Sequence, residues 1–229
     1  MQDLKGLQQR LGQHWRNENL LRQALVHRSY LNEHPDFPLG HNERLEFLGD
    51  AVLELVITEH LYVTYPNPEG ELTNWRASLV NADTLAEVAR ELTIEDYLLL
   101  SRGEAQDTKS KARHYILANA MEAIIGSLYL DQGFEACKTL IHRVLVVKLE
   151  FIITNKLYLD PKSRFQEAAQ EKVGITPAYR VVGESGPDHA KRFEVAVMLG
   201  SEQVSVGIGS SKQEAQMDAA EKALIAKGW

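Results

Sequence analysis

Residues 41–62 read HNERLEFLGDAVLELVITEHLY. Set on an α-helix at about 100° per residue, Glu43, Glu46 and Asp50 fall within about 60° of one another, with Glu54 on the same stripe. Leu45, Phe47, Leu48, Val52, Leu53, Leu55 and Val56 fill most of the remaining circumference, the pattern of a helix buried on several sides. Grouped carboxylates in such a segment repel one another and lose hydration, unless they are protonated or paired with cations. Arg44 and Arg76 are candidates for that pairing. The plain alternative is a solvent-facing acidic stripe, since charged residues are mostly exposed. Against it, like charges at i, i+3 and i+4 weaken a helix. Spacing alone leaves both readings open.

A second stretch, ILANAMEAIIGSLYLD, repeats the arrangement. Asn119 and Glu122 share one helical face, framed by Ile116, Leu117, Met121, Ile124, Ile125 and Leu128. The small residues Ala118, Ala120 and Ala123 permit a close helix approach. Two such stripes facing each other make an oxygen-rich site, suited to Mg²⁺ or Mn²⁺.

The chain has 229 residues, a net charge of −7 and 44% hydrophobic residues, enough for one large domain or two small ones. MQDLKGLQQRLGQHW lacks the basic flank and apolar core of a signal peptide, and no apolar run approaches the roughly 20 residues that span a bilayer. A soluble, cytoplasmic protein with no membrane partner is expected. Cys137 is the only cysteine, which excludes an intrachain disulfide and a cysteine-rich zinc site; it reads as a packing residue. Residues 1–159 hold 16 Lys+Arg against 22 Asp+Glu, a net −6, and residues 160–229 hold 9 against 10, a net −1. A polyanion therefore meets the second half more easily, and the first half needs cations as intermediaries.

Helical periodicity runs through LLRQALVHRSYL, ERLEFLGDAVLELVITEHLY, TNWRASLVNADTLAEVARELT, ARHYILANAMEAIIGSLYLDQG and FEACKTLIHRVLVVKLEFII. Asn42 or His41 begins the second of these, and Gly133 ends the fourth. Past residue 155 the pattern changes. Pro161 and Ser163 start a helix through SRFQEAAQEK, and the period then drops to two in AYRVVGE, RFEVAVMLG and QVSVGIG. A last helix follows from about Lys212. The chain therefore reads as two domains: an all-α domain over 1–155, then a small α+β domain of αβββα order over 160–229.

HNERLEFLGDAVLELVITEHLY beside ILANAMEAIIGSLYLD, with PEGELTNWRASLVN and LLLSRGE between them, closely resembles the bacterial ribonuclease III family, and residues 160–229 resemble a double-stranded-RNA-binding domain. The likeness covers essentially the whole chain. It implies an all-helical endonuclease domain that pairs with a second copy and receives an RNA duplex. By the resemblance, Glu46, Asp50, Asn119 and Glu122 hold Mg²⁺ or Mn²⁺, with Asp50 and Glu122 catalytic. Glu43 and Glu69 match outer acidic positions near the RNA. Phe47 matches a dimer-interface aromatic, against plain core packing as the alternative. Metal-assisted water attack would leave 5′ phosphates and short 3′ overhangs, in the processing of ribosomal and messenger precursors. No small-molecule cofactor is implied. In the second domain Ser163, Gln166 and Glu167 match a first contact helix, and His189 a loop that reaches the minor groove, although an ordinary surface histidine fits there too. Ser210, Ser211 and Lys212 would face phosphates.

Two departures stand out. Asn119 replaces the family's usual Asp, which implies a site with three carboxylates and weaker metal binding. Lys212 is followed by Gln213 and, later, Gln216, where relatives often carry a lysine cluster, which implies modest RNA affinity from this domain and a gentle salt dependence. The rival to an enzyme is a noncatalytic duplex-binding or ribosome-associated relative with a decayed site.

Overall fold

A computed structural model describes residues 3–107, 110–187 and 191–229. The chain divides into two compact units that meet between Asn155 and Lys156. The first contains α1 (Lys5–Leu11), α2 (Glu18–Ala24), α3 (Arg28–Glu33), α4 (Glu43–Thr64), α5 (Glu69–Val80), α6 (Ala82–Glu91), α7 (Arg102–Gln106), α8 (Lys111–Gln132), α9 (Phe134–Val144) and α10 (Leu149–Thr154). The second contains α11 (Pro161–Val173), β1 (Ala178–Ser185), β2 (Arg192–Leu199), β3 (Glu202–Gly209) and α12 (Lys212–Lys227).

Helix α8 is the axis of the first unit, packed against α2, α4, α6 and α9. Ile116, Leu117, Ala118, Ala120, Met121, Ala123, Ile124, Ile125 and Leu128 are all buried, so its apolar surface is used nearly all round. Full burial of each large aliphatic side chain contributes about 1.5–3 kcal/mol. Trp15 lies in the same core and donates its indole N–H to Ser127 Oγ at 3.0 Å, which satisfies two buried polar groups at once. Cys137 is buried in contact with the Ile125 carbonyl, and burial pushes its thiol up to about 12.

Three continuous helical stretches of the sequence are broken in the structure. LLRQALVHRSYL divides into α2 and α3, because Val26 leaves the helix to bridge Leu99 and His27 caps α3 through Ser29. The stretch from Thr73 to Thr93 divides at Asn81, which is extended and caps α6 by accepting from the Thr84 N–H at 2.8 Å. The stretch from Phe134 passes through a 3₁₀ turn at Val146–Lys148 before α10. Apolar periodicity persists across each break, so it conceals the cap residue.

In the second unit the strands form an antiparallel sheet in the order β1-β2-β3. Tyr179 opposes Val197, and Val195 opposes Gly207. A Cβ on Gly207 or Gly209 would overlap the backbone of α12 around Ala215, so these glycines let the helix lie directly on β3. The core gathers Phe165, Ala169, Val197, Leu199, Ala219, Ala220, Ala223 and Leu224, with Trp229 stacked on Phe165 at 5.5 Å.

Candidate metal centre and nucleic-acid interface

The acidic residues meet where α4 crosses α8. Gly49 and Gly126 make that crossing possible: a Cβ on Gly49 would overlap the Glu122 carbonyl, and one on Gly126 would overlap the Leu45 carbonyl. The backbones therefore approach without intervening side chains, and Glu46, Asp50 and Glu122 come within electrostatic range of one another. The sequence reading assigned the close approach to Ala118, Ala120 and Ala123; these are buried, but the two glycines are what the crossing requires.

Glu122 is half-buried, and its carboxyl is pushed up to about 8, first by burial and then by the charges of Asp50 and Glu46. Glu46 is also raised, by burial and by Glu43, with Asp50 adding to it. A side-chain hydrogen bond from Asn119 acts against that rise, so the amide serves as a donor to Glu46. Asp50 faces solvent. Among the described residues no three of these side chains already close around one point as a cation cage. Carboxylates that raise each other's proton affinity are nonetheless the donor set that a hard divalent cation relieves, and Glu46, Asp50, Glu122 and the Asn119 amide oxygen are suited to hold one.

Among the described residues neither Arg44 nor Arg76 pairs with this row as expected. Arg76 donates to Thr58 Oγ1 at 3.1 Å. Glu43 instead faces Arg28 at 3.6 Å and His41 at 3.7 Å, two partners that sequence spacing does not reveal because they precede α4. Glu69 stands apart from the row. It opens α5, accepts from Thr73 Oγ1 at 2.9 Å, and is not among the groups that shift Glu46 or Glu122.

One face of α4 also departs from the expected burial. Phe47 is 81% exposed, Leu55 57% and Tyr62 80%, so core packing of Phe47 is excluded. These residues form an apolar stripe beside the acidic row. At its end a cavity of about 630 Å³ is lined by Leu61, Tyr62, Tyr65, Leu72 and Arg76, with Glu69 at its edge.

In the second unit, Asp160 caps α11 by accepting from the N–H groups of Lys162 and Ser163, and it also holds the Ser163 hydroxyl at 2.6 Å. Gln166 and Glu167 are exposed one turn on, and Glu167 pairs with Lys156 at 3.3 Å. Ser211 caps α12 by accepting from the Glu214 N–H, while Glu214 reaches back to the Ser210 N–H and hydroxyl. Lys212 faces Glu184 at 3.6 Å and lies over the Phe193 ring. Gln216 accepts from Lys162 Nζ at 2.7 Å and so ties the first turn of α11 to α12. The predicted groups thus cluster at the starts of α11 and α12. His189 lies outside the described residues.

The fold is thus an all-helical unit with an acidic helix crossing, followed by an αβββα unit. Residues 17–149 match the ribonuclease-III-like family, and residues 161–226 match the double-stranded RNA binding motif. The chain is similar to Ribonuclease 3 of a Nitratiruptor species, at 42% identity over 98% of this chain and 96% of the relative. It is equally similar, at 42%, to Ribonuclease 3 of Enterococcus faecalis over 95% of this chain and 94% of that protein. The nuclease domain of the Campylobacter jejuni enzyme superposes with a TM-score of 0.57 at 39% identity, covering 66% of this chain and 97% of that domain. The chain belongs to the ribonuclease III family. Among its described residues no helix is long and apolar enough to cross a membrane.

Proposed function

We propose that the protein is a homodimeric endoribonuclease that hydrolyses double-stranded RNA in the cytoplasm with the help of Mg²⁺, for which Mn²⁺ can substitute. The observation that carries this reading is the close crossing of α4 and α8 on Gly49 and Gly126, which brings Glu46, Asp50 and Glu122 within electrostatic range of one another. Like charges that raise one another's proton affinity weaken a fold that has no use for them, so their presence beside a double-stranded RNA binding motif supports a working site over a decayed one.

When bound, a divalent cation supplies an acidified water as nucleophile and positive charge at the leaving 3′ oxygen. Glu46, Asp50 and Glu122 would hold it, and the Asn119 amide, hydrogen-bonded to Glu46, would steady that carboxylate. Asp50 is the member of this set most open to solvent. The polar starts of α11 and α12 would grip the duplex, with modest cationic help because Lys212 is shared with Glu184.

Self-association is supported by the exposed stripe of Phe47, Leu55 and Tyr62, an apolar surface of the kind that marks interfaces. The Campylobacter jejuni relative has a region involved in dimer formation within its nuclease domain. Pairing the protein through this stripe would set two acidic rows on one duplex.

The test is cleavage of an end-labelled RNA duplex with and without Mg²⁺, beside Glu122→Gln. Metal-dependent cutting that the substitution reduces by about 10³-fold, roughly 4 kcal/mol of barrier, is expected. Tight duplex binding with no cutting in Mg²⁺ or Mn²⁺ would reject the enzyme reading.

A further inference from the structure

The start of α4 is laced to the turn before α3. Asn42 is buried, its backbone N–H donates to the Val26 carbonyl at 2.9 Å, and its side-chain amide donates to the Ala24 carbonyl at 3.2 Å. Val26 bridges Leu99, the Ser101 N–H donates to Ser29 Oγ at 3.0 Å, and the Glu33 carboxylate takes the Arg102 N–H. The Asn42 bonds tie the start of α4 to the end of α2, the other bonds tie α3 and the residues before it to the Leu99–Arg102 segment, and Arg28, at the start of α3, lies opposite Glu43. Each Glu43 oxygen then faces one nitrogen: Oε1 lies 3.6 Å from Arg28 Nη1, and Oε2 lies 3.7 Å from His41 Nδ1.

At these distances the contacts are long for hydrogen bonds, and an exposed ion pair contributes little to stability. The Arg28 side chain is 71% exposed, so N–H groups of its planar fork remain open to another acceptor. Glu43 itself stands one turn before Glu46, at the outer end of the acidic row. A row of carboxylates repels a polyanion, and a permanent cation held at its end reverses that locally.

We propose that Arg28 contacts a non-bridging phosphate oxygen of the RNA backbone beside the scissile linkage, and that Glu43 is the positioning residue that aims it, with His41 steadying the other carboxylate oxygen. This rests on the nuclease reading above. It gives Glu43 a task distinct from metal binding: its charge orients a cation for the substrate.

The experiment uses the full chain and a fluorescein-labelled blunt RNA duplex in EDTA, titrated at several salt concentrations. Arg28→Gln should weaken binding by about 3- to 10-fold and lower the slope of log affinity against log salt by about one. Arg28→Lys should restore the slope and only part of the affinity, because it keeps the charge and loses the fork. Glu43→Gln should weaken binding less than Arg28→Gln, and the double variant should bind no worse than Arg28→Gln alone. Mn²⁺ affinity, measured by calorimetry without RNA, should not fall in Arg28→Gln. Unchanged affinity and slope in Arg28→Gln, tighter binding by Glu43→Gln, additive losses, or weakened Mn²⁺ binding in Arg28→Gln would each overturn the proposal. Wild-type cutting in Mg²⁺ is scored separately. A chain that cuts duplex RNA while Arg28→Gln binds normally loses only the Arg28 contact, whereas one that neither binds nor cuts loses the nuclease reading as well.

Discussion

Gly49 and Gly126 face each other across the crossing of α4 and α8: a Cβ on Gly49 would lie 2.9 Å from the Gly126 nitrogen, and one on Gly126 would lie 3.0 Å from the Gly49 nitrogen. Exchanging a helical glycine for alanine ordinarily gains about 1 kcal/mol. Here the added methyl meets backbone that cannot rotate away, and overpacking wins. Gly126→Ala should destabilise the fold by about 3 kcal/mol and abolish cleavage, as urea unfolding and a duplex assay would measure. A stabilised variant would contradict the close crossing.

The raised Glu122 carboxyl makes stability depend on pH in an uncommon direction. Between its ordinary value of 4.5 and about 8, the folded chain holds a proton that the unfolded chain has released. The contribution is therefore present at low pH and lost as pH rises through about 8. Metal-free protein should melt progressively lower from about pH 5 to about pH 8, and Glu122→Gln should flatten that decline. Stabilisation by Mg²⁺ should grow over the same range, since the ion displaces the proton. Thermal melts in EDTA and in Mg²⁺ test both trends.

How much of this was legible in the sequence follows from which signals are local. Glu46, Asp50 and Glu122 announce themselves because charge in an apolar helix is anomalous, and the αβββα unit because its period changes from 3.6 to two. Caps at Asn81 and Asp160 were missed since each depends on one side chain bonding a nearby N–H, which leaves apolar periodicity untouched. Gly49 and Gly126 were passed over because a helical glycine reads as a weak residue until its neighbour is known. The Arg28–Glu43 pair joins separate elements, and the buried Arg113, held by Glu95 at 2.7 Å, does the same; no single-helix pattern contains such pairs. The exposure of Leu55 and Tyr62 is not legible in periodicity, because apolar residues left on a surface look in sequence like apolar residues destined for the interior; only the family resemblance sets Phe47 outside the core.

Asn119 offers a direct test of how charge and hydrogen bonding share the site. Asn119→Asp adds a fourth carboxylate and removes the donor to Glu46. Mn²⁺ affinity should rise by roughly tenfold, about 1.4 kcal/mol, while metal-free stability falls. Calorimetric titration and melting in EDTA would show both, and unchanged affinity would reject the idea that the amide weakens metal binding.

Phe47 separates folding from assembly. With 81% of its surface exposed, Phe47→Ala should alter unfolding by no more than about 0.5 kcal/mol. If the stripe pairs two copies, the same change should weaken association by about 2 kcal/mol, near 30-fold. Sedimentation velocity across a dilution series measures this. A dimer that ignores the substitution would place the interface elsewhere.

Helix α4 carries the carboxylates Glu46 and Asp50 on one flank and the stripe of Phe47, Leu55 and Tyr62 on the next. In a dimer joined along that stripe, each acidic row would ride on the same rod that forms the seam, with no loop between site and seam. The rod would then act as a spacer, and a change that shifts the seam would shift the distance between the two cuts as well.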